Sequence, residues 1–302
     1  MTPPDIDVVH VGSASRDLTE DDPRGWRLGG GVSYSALTTA RLGLRTAAVM
    51  GVDAPASSAS ELDLLREAGV ELHAVALAEG PVFRNRETPA VRIQSWPVHG
   101  HPLPVPDLPA SWWAVPAWSQ VPVASELDEA WATAIPAGAL VSLAWQGLLR
   151  RQGPGQLTER LAPTASSLLA AADLVGVSRH DLAADVPIET VTGLLRPGAR
   201  LALTDGHDGG RLIHVGRDGR THVQAWEALR PERVIDPTGA GDVFLAALLA
   251  ANARPDLTTQ AGTGRPSSDL AFAAAAASFV VEARGLEGVP DRDYVLRRLG
   301  RR

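Results

Sequence analysis

The sequence predicts an α/β fold with a central, mostly parallel sheet, and three observations carry that expectation. Short apolar strands alternate with helical segments, a proline- and glycine-broken stretch of alternating residues interrupts them once, and two strongly helical segments fill the last third. Residues 8–12 read as a strand ending in glycine and residues 46–51 as another, with a helix over about 35–42 between them. Ser58-Ala-Ser-Glu61 reads as a capping box before Leu62, Leu64 and Leu65, with a stop at Gly69. From about 71 to 108, alternating Val75, Leu77, Val82, Val91 and Ile93 are broken by Gly80, Pro81 and Pro89, which suits a small β excursion. Strands follow near 139–144, 173–177, 200–204 and 212–215, then helices over 243–252 and 269–283 separated by a polar loop around 262–268. With no internal repeat and no long linker, residues 1–302 read as one domain.

Composition narrows the function. The chain is 45% hydrophobic and 21% charged, so it reads as folded throughout. A net charge of −7, with its one basic cluster at Arg297, Arg298, Arg301 and Arg302, argues against a nucleic-acid partner. There is no charged leader before an apolar stretch and no run of ~18 apolar residues, so the expectation is a soluble, cytoplasmic protein with no membrane partner. Cysteine is absent, which removes disulfides, thiolate nucleophiles and cysteine-ligated zinc. All 28 basic residues are arginine. Without lysine there is no Walker-type P-loop, no protein-kinase lysine and no pyridoxal-phosphate Schiff base. Phosphate must then be handled by backbone N–H groups, helix N-termini, arginine or a metal ion.

Asp236-Pro-Thr-Gly239-Ala240-Gly241-Asp242 follows Val234-Ile235 and precedes an apolar helix. Two glycines around an alanine allow close backbone approach to an anion, and the helix start aims unsatisfied N–H groups and its positive dipole end at the same point. An acid there repels phosphate, so its use is to accept a proton from an attacking hydroxyl. The competing account makes Asp242 a helix cap in an ordinary strand-to-helix turn.

That string resembles the C-terminal signature of the ribokinase-like (PfkB) carbohydrate kinases. Gly29-Gly30-Gly-Val-Ser-Tyr34-Ser-Ala36, running on to Leu42-Gly43, is similar to the family's substrate-side pattern, and Asp17 stands where the family has an aspartate gripping substrate hydroxyls. Thr204-Asp-Gly206-His-Asp-Gly209 resembles the segment beside the nucleotide, and residues 271–285 the closing alanine-rich helix. The resemblance implies a ribokinase-like three-layer sandwich with a small β lid. It makes Asp242 the catalytic base and Gly239, Ala240 and Gly241 the anion hole. Asp17, Gly29, Gly30 and Tyr34 fall on the substrate side; Thr204, Gly206, Gly209 and Thr238 fall beside ATP. Asp236 would shape the loop and, in members that use one, a monovalent-cation site, against a plain turn role.

Departures stand beside the matches. Tyr34 replaces the asparagine that contacts the sugar in many members. The family's Asn-x-x-Glu motif for Mg²⁺ appears as Ser178-Arg-His-Asp181, which leaves Asp181 as the acid or as a Ser-x-x-Asp cap. Only eleven residues separate Asp17 from Gly29, implying a shorter lid. With Phe83-Arg-Asn85, Arg92-Ile-Gln94 and Trp145-Gln146-Gly147-Leu-Leu-Arg150, this resembles a branch that includes plant myo-inositol kinases. Gln146 and Arg150 lie past an apolar strand, where open α/β sheets bind ligands, with a salt bridge on a following helix as the alternative. Trp96, Trp112, Trp113 and Trp118 read as packing before sugar stacking, and His99 and His101 as surface histidines. The expected activity is ATP-dependent phosphorylation of a small sugar or cyclitol, with Mg²⁺ and a small polyol as partners. A nucleoside kinase of the same fold and a catalytically silent binding protein are the alternatives. A homodimer is compatible with the resemblance, while the sequence alone names no oligomeric state.

Overall fold

The structure is a computed structural model that describes residues 5–87, 92–259 and 267–300. Strand β1 (Val8–Ser13) is buried at every position, as its apolar run requires, and turns directly into β2 (Ser15–Leu18). A hairpin returns as β3 (Trp26–Gly29), and helix α1 (Gly31–Arg41) begins at once, earlier than the periodicity suggested. Its N-cap is Gly30 with φ 91°, a backbone conformation that only glycine adopts freely. The next strand, β4 (Thr46–Val52), is again wholly buried.

Helix α2 (Ser60–Glu67) lacks the expected capping box: its N-cap is Ala59, with no side-chain bond. Glu61 is drawn away instead, accepting from Arg24 at 2.7 Å and from the Leu28 N–H at 3.0 Å. A charge-assisted pair tying the helix to β3 outweighs a neutral cap.

The excursion is also smaller than expected, because β5 (Glu71–Ala76) pairs in parallel with β4 in the main sheet. What leaves the sheet is the hairpin of β6 (Val82–Glu87) and β7 (Arg92–Val98). It joins β2 and β3 in a four-stranded sheet ordered β3-β2-β6-β7, the lid. Pro89 and Val91 lie outside the described residues.

Beyond the lid come β8 (Ala117–Gln120), α3 (Glu129–Ala134) and β9 (Leu140–Ala144). A short antiparallel pair, β10 (Arg150–Gln152) and β11 (Thr158–Arg160), precedes α4 (Ser167–Ala171) and β12 (Leu174–Ser178). Then α5 (Ile188–Thr192), β13 (Arg200–Thr204), β14 (Gly210–Val215) and β15 (Thr221–Trp226) lead to α6 (Ala240–Ala253), α7 (Asp269–Val280) and α8 (Arg292–Gly300).

The nine-stranded sheet runs β15-β14-β13-β12-β9-β8-β1-β4-β5, parallel except at β14 and β15. One face carries the core shared with α1, α2, α6, α7 and α8. The other packs against α3, α4 and α5 and takes Trp112, Trp118, Trp131 and Trp145. Three layers result, as expected. The tryptophans are packing residues: Trp113 stacks on Trp118 at 5.2 Å, and Trp96 lies between Phe83 and His99. Among the described residues no helix is long and apolar enough to cross a membrane.

Candidate active site

A cavity of about 1420 Å³ opens at the carboxyl ends of β9, β12 and β13, lined there by Ala144, Ser178 and Thr204. Its lid end takes Asp17, Asn85, Gln94 and Arg150; its far end takes Leu229, Ala274, Ala277 and Val281. Between them lies the start of α6.

The backbone into that helix is bent by Gly239, at φ 84°. Asp236 Oδ1 accepts from the Thr238 N–H at 2.9 Å, so Asp236 is a turn residue and does not line the cavity. No side chain caps α6, leaving its first-turn amides for another acceptor, although the Ala240 N–H also reaches the Pro237 carbonyl at 3.3 Å. The Tyr34 ring lies under the same bend: a Cβ on Gly239 would stand 2.4 Å from it.

Asp242 is part-exposed, and it lines the cavity. The packed protein around it excludes most water, and this burial pushes its carboxyl up to about 6; Arg150 opposes the rise, while Asp181 and Asp17 add to it. Helix α1 also arrives here, since a Cβ on Gly31 would stand 2.9 Å from Asp242 Oδ1. The N-termini of two helices therefore converge on one carboxylate and the space before it. The Tyr34 phenol is held well above its usual pKa, first by burial and then by Asp17, Asp236 and Asp242, so it stays a proton-bearing hydroxyl.

Arg150 is buried beside this acid. It does not start a helix, as one alternative required; it opens β10, and its guanidinium donates to the Val123 carbonyl at 2.8 Å and to Gln94 Oε1 at 3.0 Å. It lies 4.7 Å over the Phe83 ring, and Gln94 passes the chain of contacts to Asn85 Oδ1 at 2.9 Å. Burial pulls its pKa down while Asp181, Glu126, Asp242 and Asp17 hold it up. An arginine stays charged through such a shift.

Asp17 lies across the cavity with Ser15 Oγ donating to it at 2.8 Å. Gly30 lines the cavity, whereas Gly29 does not; a Cβ on Gly29 would strike the Asp17 carboxylate. Arg92 opens β7, and its side chain lies outside the described residues. Asp181 takes the cap role and also lines the cavity. It forms the capping box with Ser178, and it faces the cavity with Gln146 Nε2 donating to its Oδ1 at 3.0 Å. Thr204, Gly206 and Gly209 line the wall nearer the far end, where Trp226 stacks on Phe244 at 4.8 Å.

Glu126 is a residue that the sequence reading missed. Fully buried, it accepts from the backbone N–H groups of Ser13, Val123 and Ala124 at 2.9, 3.0 and 2.7 Å. It thus ties the β1–β2 bend to the loop that holds Arg150, and burial raises its pKa despite those bonds. An acid inside Val121-Pro-Val-Ala-Ser-Glu126-Leu was the available signal.

Residues 143–292 match the pfkB family carbohydrate kinase profile, a stretch that holds Arg150, Asp181, Thr204 and the whole 236–242 turn. The chain belongs to the ribokinase-like PfkB family. Its architecture is shared with a pyrophosphate-dependent kinase of the ribokinase family complexed with a pyrophosphate analog and myo-inositol (TM-score 0.67, 19% identity, 96% of this chain and 99% of that one). It is shared with Arabidopsis thaliana ribokinase complexed with ribose and ATP (0.67, 20%, 99% and 99%). A Methanocaldococcus jannaschii nucleoside kinase is similar too (0.66, 17%, 98% and 99%). At these identities the likeness is one of fold. No curated protein sequence matches the chain.

Proposed function

We propose that this PfkB-family chain transfers the terminal phosphoryl group of ATP to a hydroxyl of a small sugar or cyclitol, with Asp242 as the base. One observation carries the reading: a carboxyl raised to about 6 lines the cavity at the uncapped start of α6, behind Gly239, Ala240 and Gly241. Such an acid is ionised at neutral pH yet basic enough to take a proton as the hydroxyl attacks. The amides before it face charge building on the moving group. The acceptor lies toward Asp17, whose carboxylate can take hydrogen bonds from neighbouring hydroxyls, with Tyr34, Asn85 and Arg150 closing the wall. The donor lies along Thr238, Thr204, Gly206 and Gly209.

Among the described residues no three acidic or histidine side chains gather into a metal cage. The donor set fits an ion carried on the donor's phosphates, with Asp181 as its protein carboxylate. Mg²⁺ bound there would neutralise phosphate charge.

The test is a screen of sugars, cyclitols and nucleosides for acceptor-dependent ADP release, repeated with Asp242→Asn. We expect turnover to fall by roughly 10²–10⁴ with ATP binding intact. Near wild-type turnover in the variant would remove Asp242 from the mechanism. Efficient phosphorylation of nucleosides alone would favour the nucleoside-kinase alternative, and binding without turnover the silent one.

A further inference from the structure

The β10–β11 hairpin carries an arrangement that the transfer of a phosphoryl group to a neutral polyol does not use. Antiparallel pairing sets Arg150 directly opposite Arg160 and Gln152 opposite Thr158, so all four side chains share one face. The other face holds Arg151 and Glu159, which form an ion pair at 2.9 Å. On that face charge is matched; on the face toward the cavity two arginines, Arg150 buried and Arg160 exposed, stand side by side with no acid between them on the hairpin.

Like charges directly opposite on paired strands are destabilising unless something neutralises them. Among the described residues the Arg150 guanidinium hydrogen-bonds neutral oxygens, the Val123 carbonyl and Gln94 Oε1, and its charge is offset without contact by Asp181, Glu126, Asp242 and Asp17, which leaves Arg160 as the arginine without an acid. Arg160 makes no hydrogen bond or ion pair among the described residues, and it lines the cavity. So does Thr158, whose hydroxyl is buried without a partner. A buried hydroxyl left unpaired costs about 1–3 kcal/mol unless a ligand supplies the partner. Two guanidinium groups and one hydroxyl on a single wall are the donors that a carboxylate or phosphate group accepts from.

The hairpin is fastened to the lid rather than to the far end. Ser95 of β7 pairs with Leu157, and Gln152 donates to the Trp96 carbonyl. We infer that the acceptor polyol carries an anionic substituent, a phosphate or a carboxylate, held by Arg160, Thr158 and Arg150 at the lid end. This rests on the acceptor reading of that end.

The first experiment needs no acceptor. Inorganic phosphate is titrated calorimetrically into the protein saturated with a non-hydrolysable ATP analogue, which fills the donor's phosphate positions. We expect millimolar binding that weakens tenfold or more in Arg160→Gln and in Thr158→Val, while Arg151→Gln on the outer face binds as wild type. Wild-type binding in both inner-face variants, or loss of all phosphate binding once the analogue is present, overturns the inference; the second outcome assigns the arginines to the donor.

The second experiment compares fructose 6-phosphate with fructose and galacturonate with galactose, at saturating ATP. We expect a KM at least tenfold lower for the charged member of a pair, and a preference that collapses in Arg160→Gln. Preference for the neutral members overturns the inference and leaves the kinase reading standing. A failure of the kinase reading would show differently, as an Asp242→Asn variant with unchanged turnover.

Discussion

As the proposed base, Asp242 would need to be ionised, and its surroundings resist ionisation. Below about pH 6 the proton that it should accept is already present, so kcat/KM is expected to fall about tenfold per pH unit there, where an ordinary aspartate would hold activity to about pH 4. Arg150 is the cation opposing that shift. Arg150→Met should therefore move the acid limb to higher pH as well as lower the plateau; an unmoved limb would mean that the titration belongs to another group. A kcat/KM profile from pH 4.5 to 9 reads both. Asp17 sits across the cavity and makes a separable prediction. Asp17→Ala should raise the acceptor KM by on the order of 10²-fold, the loss of one or two charge-assisted bonds, and leave the ATP KM nearly unchanged. Equal losses for both ligands in calorimetry would make Asp17 a turn residue only.

The element that matters most is the turn into α6, where two glycines do different work. Gly239 is fixed by its φ of 84° and by the Tyr34 ring under it, so a side chain there disturbs the fold. Gly241 is helical, with nothing within 4 Å of a Cβ placed on it. Alanine suits a helix better than glycine by roughly 0.5–1 kcal/mol. Gly241→Ala should therefore keep or raise the unfolding temperature while its methyl intrudes on the anion's position, lowering turnover by ~10–10². Unimpaired turnover would detach these amides from the chemistry. This turn was legible in the sequence because glycines, acid and helix are contiguous from Gly239 onward, although Val234-Ile235 before them is exposed coil and not the strand of a strand-to-helix turn. What stayed hidden was assembled from afar. Glu126 reaches Ser13 across 113 positions, and β8 is a four-residue strand held between Pro116 and Pro122, too short to show a period. The β10–β11 pair has three residues per strand, too few for a period to register. The capping box at Ser58 failed for a similar reason, since its glutamate found Arg24, 37 residues away.

At the scale of the molecule, the length of the cavity bears on the phosphoryl donor, because structures of this fold include a pyrophosphate-dependent kinase as well as a ribokinase complexed with ATP. Pyrophosphate is all charge and needs only the amides of α6 and cations nearby. The cavity here runs on past Gly206 and Gly209 to Leu229, Ala274, Ala277 and Val281, beside the stacked pair Trp226 and Phe244. Among the described residues no arginine lines that end. Apolar surface of this kind gains by covering a flat, weakly polar ring and gains nothing from a second phosphate. ATP should therefore support turnover where pyrophosphate, at equal phosphate concentration, gives less than a hundredth of the rate. Ala277→Phe supplies the check, because a ring grown into the far end should raise the ATP KM about tenfold or more while leaving the acceptor KM in place. Comparable rates with pyrophosphate, or an ATP KM indifferent to Ala277→Phe, would mean that the apolar end serves packing and that the donor ends at the phosphates.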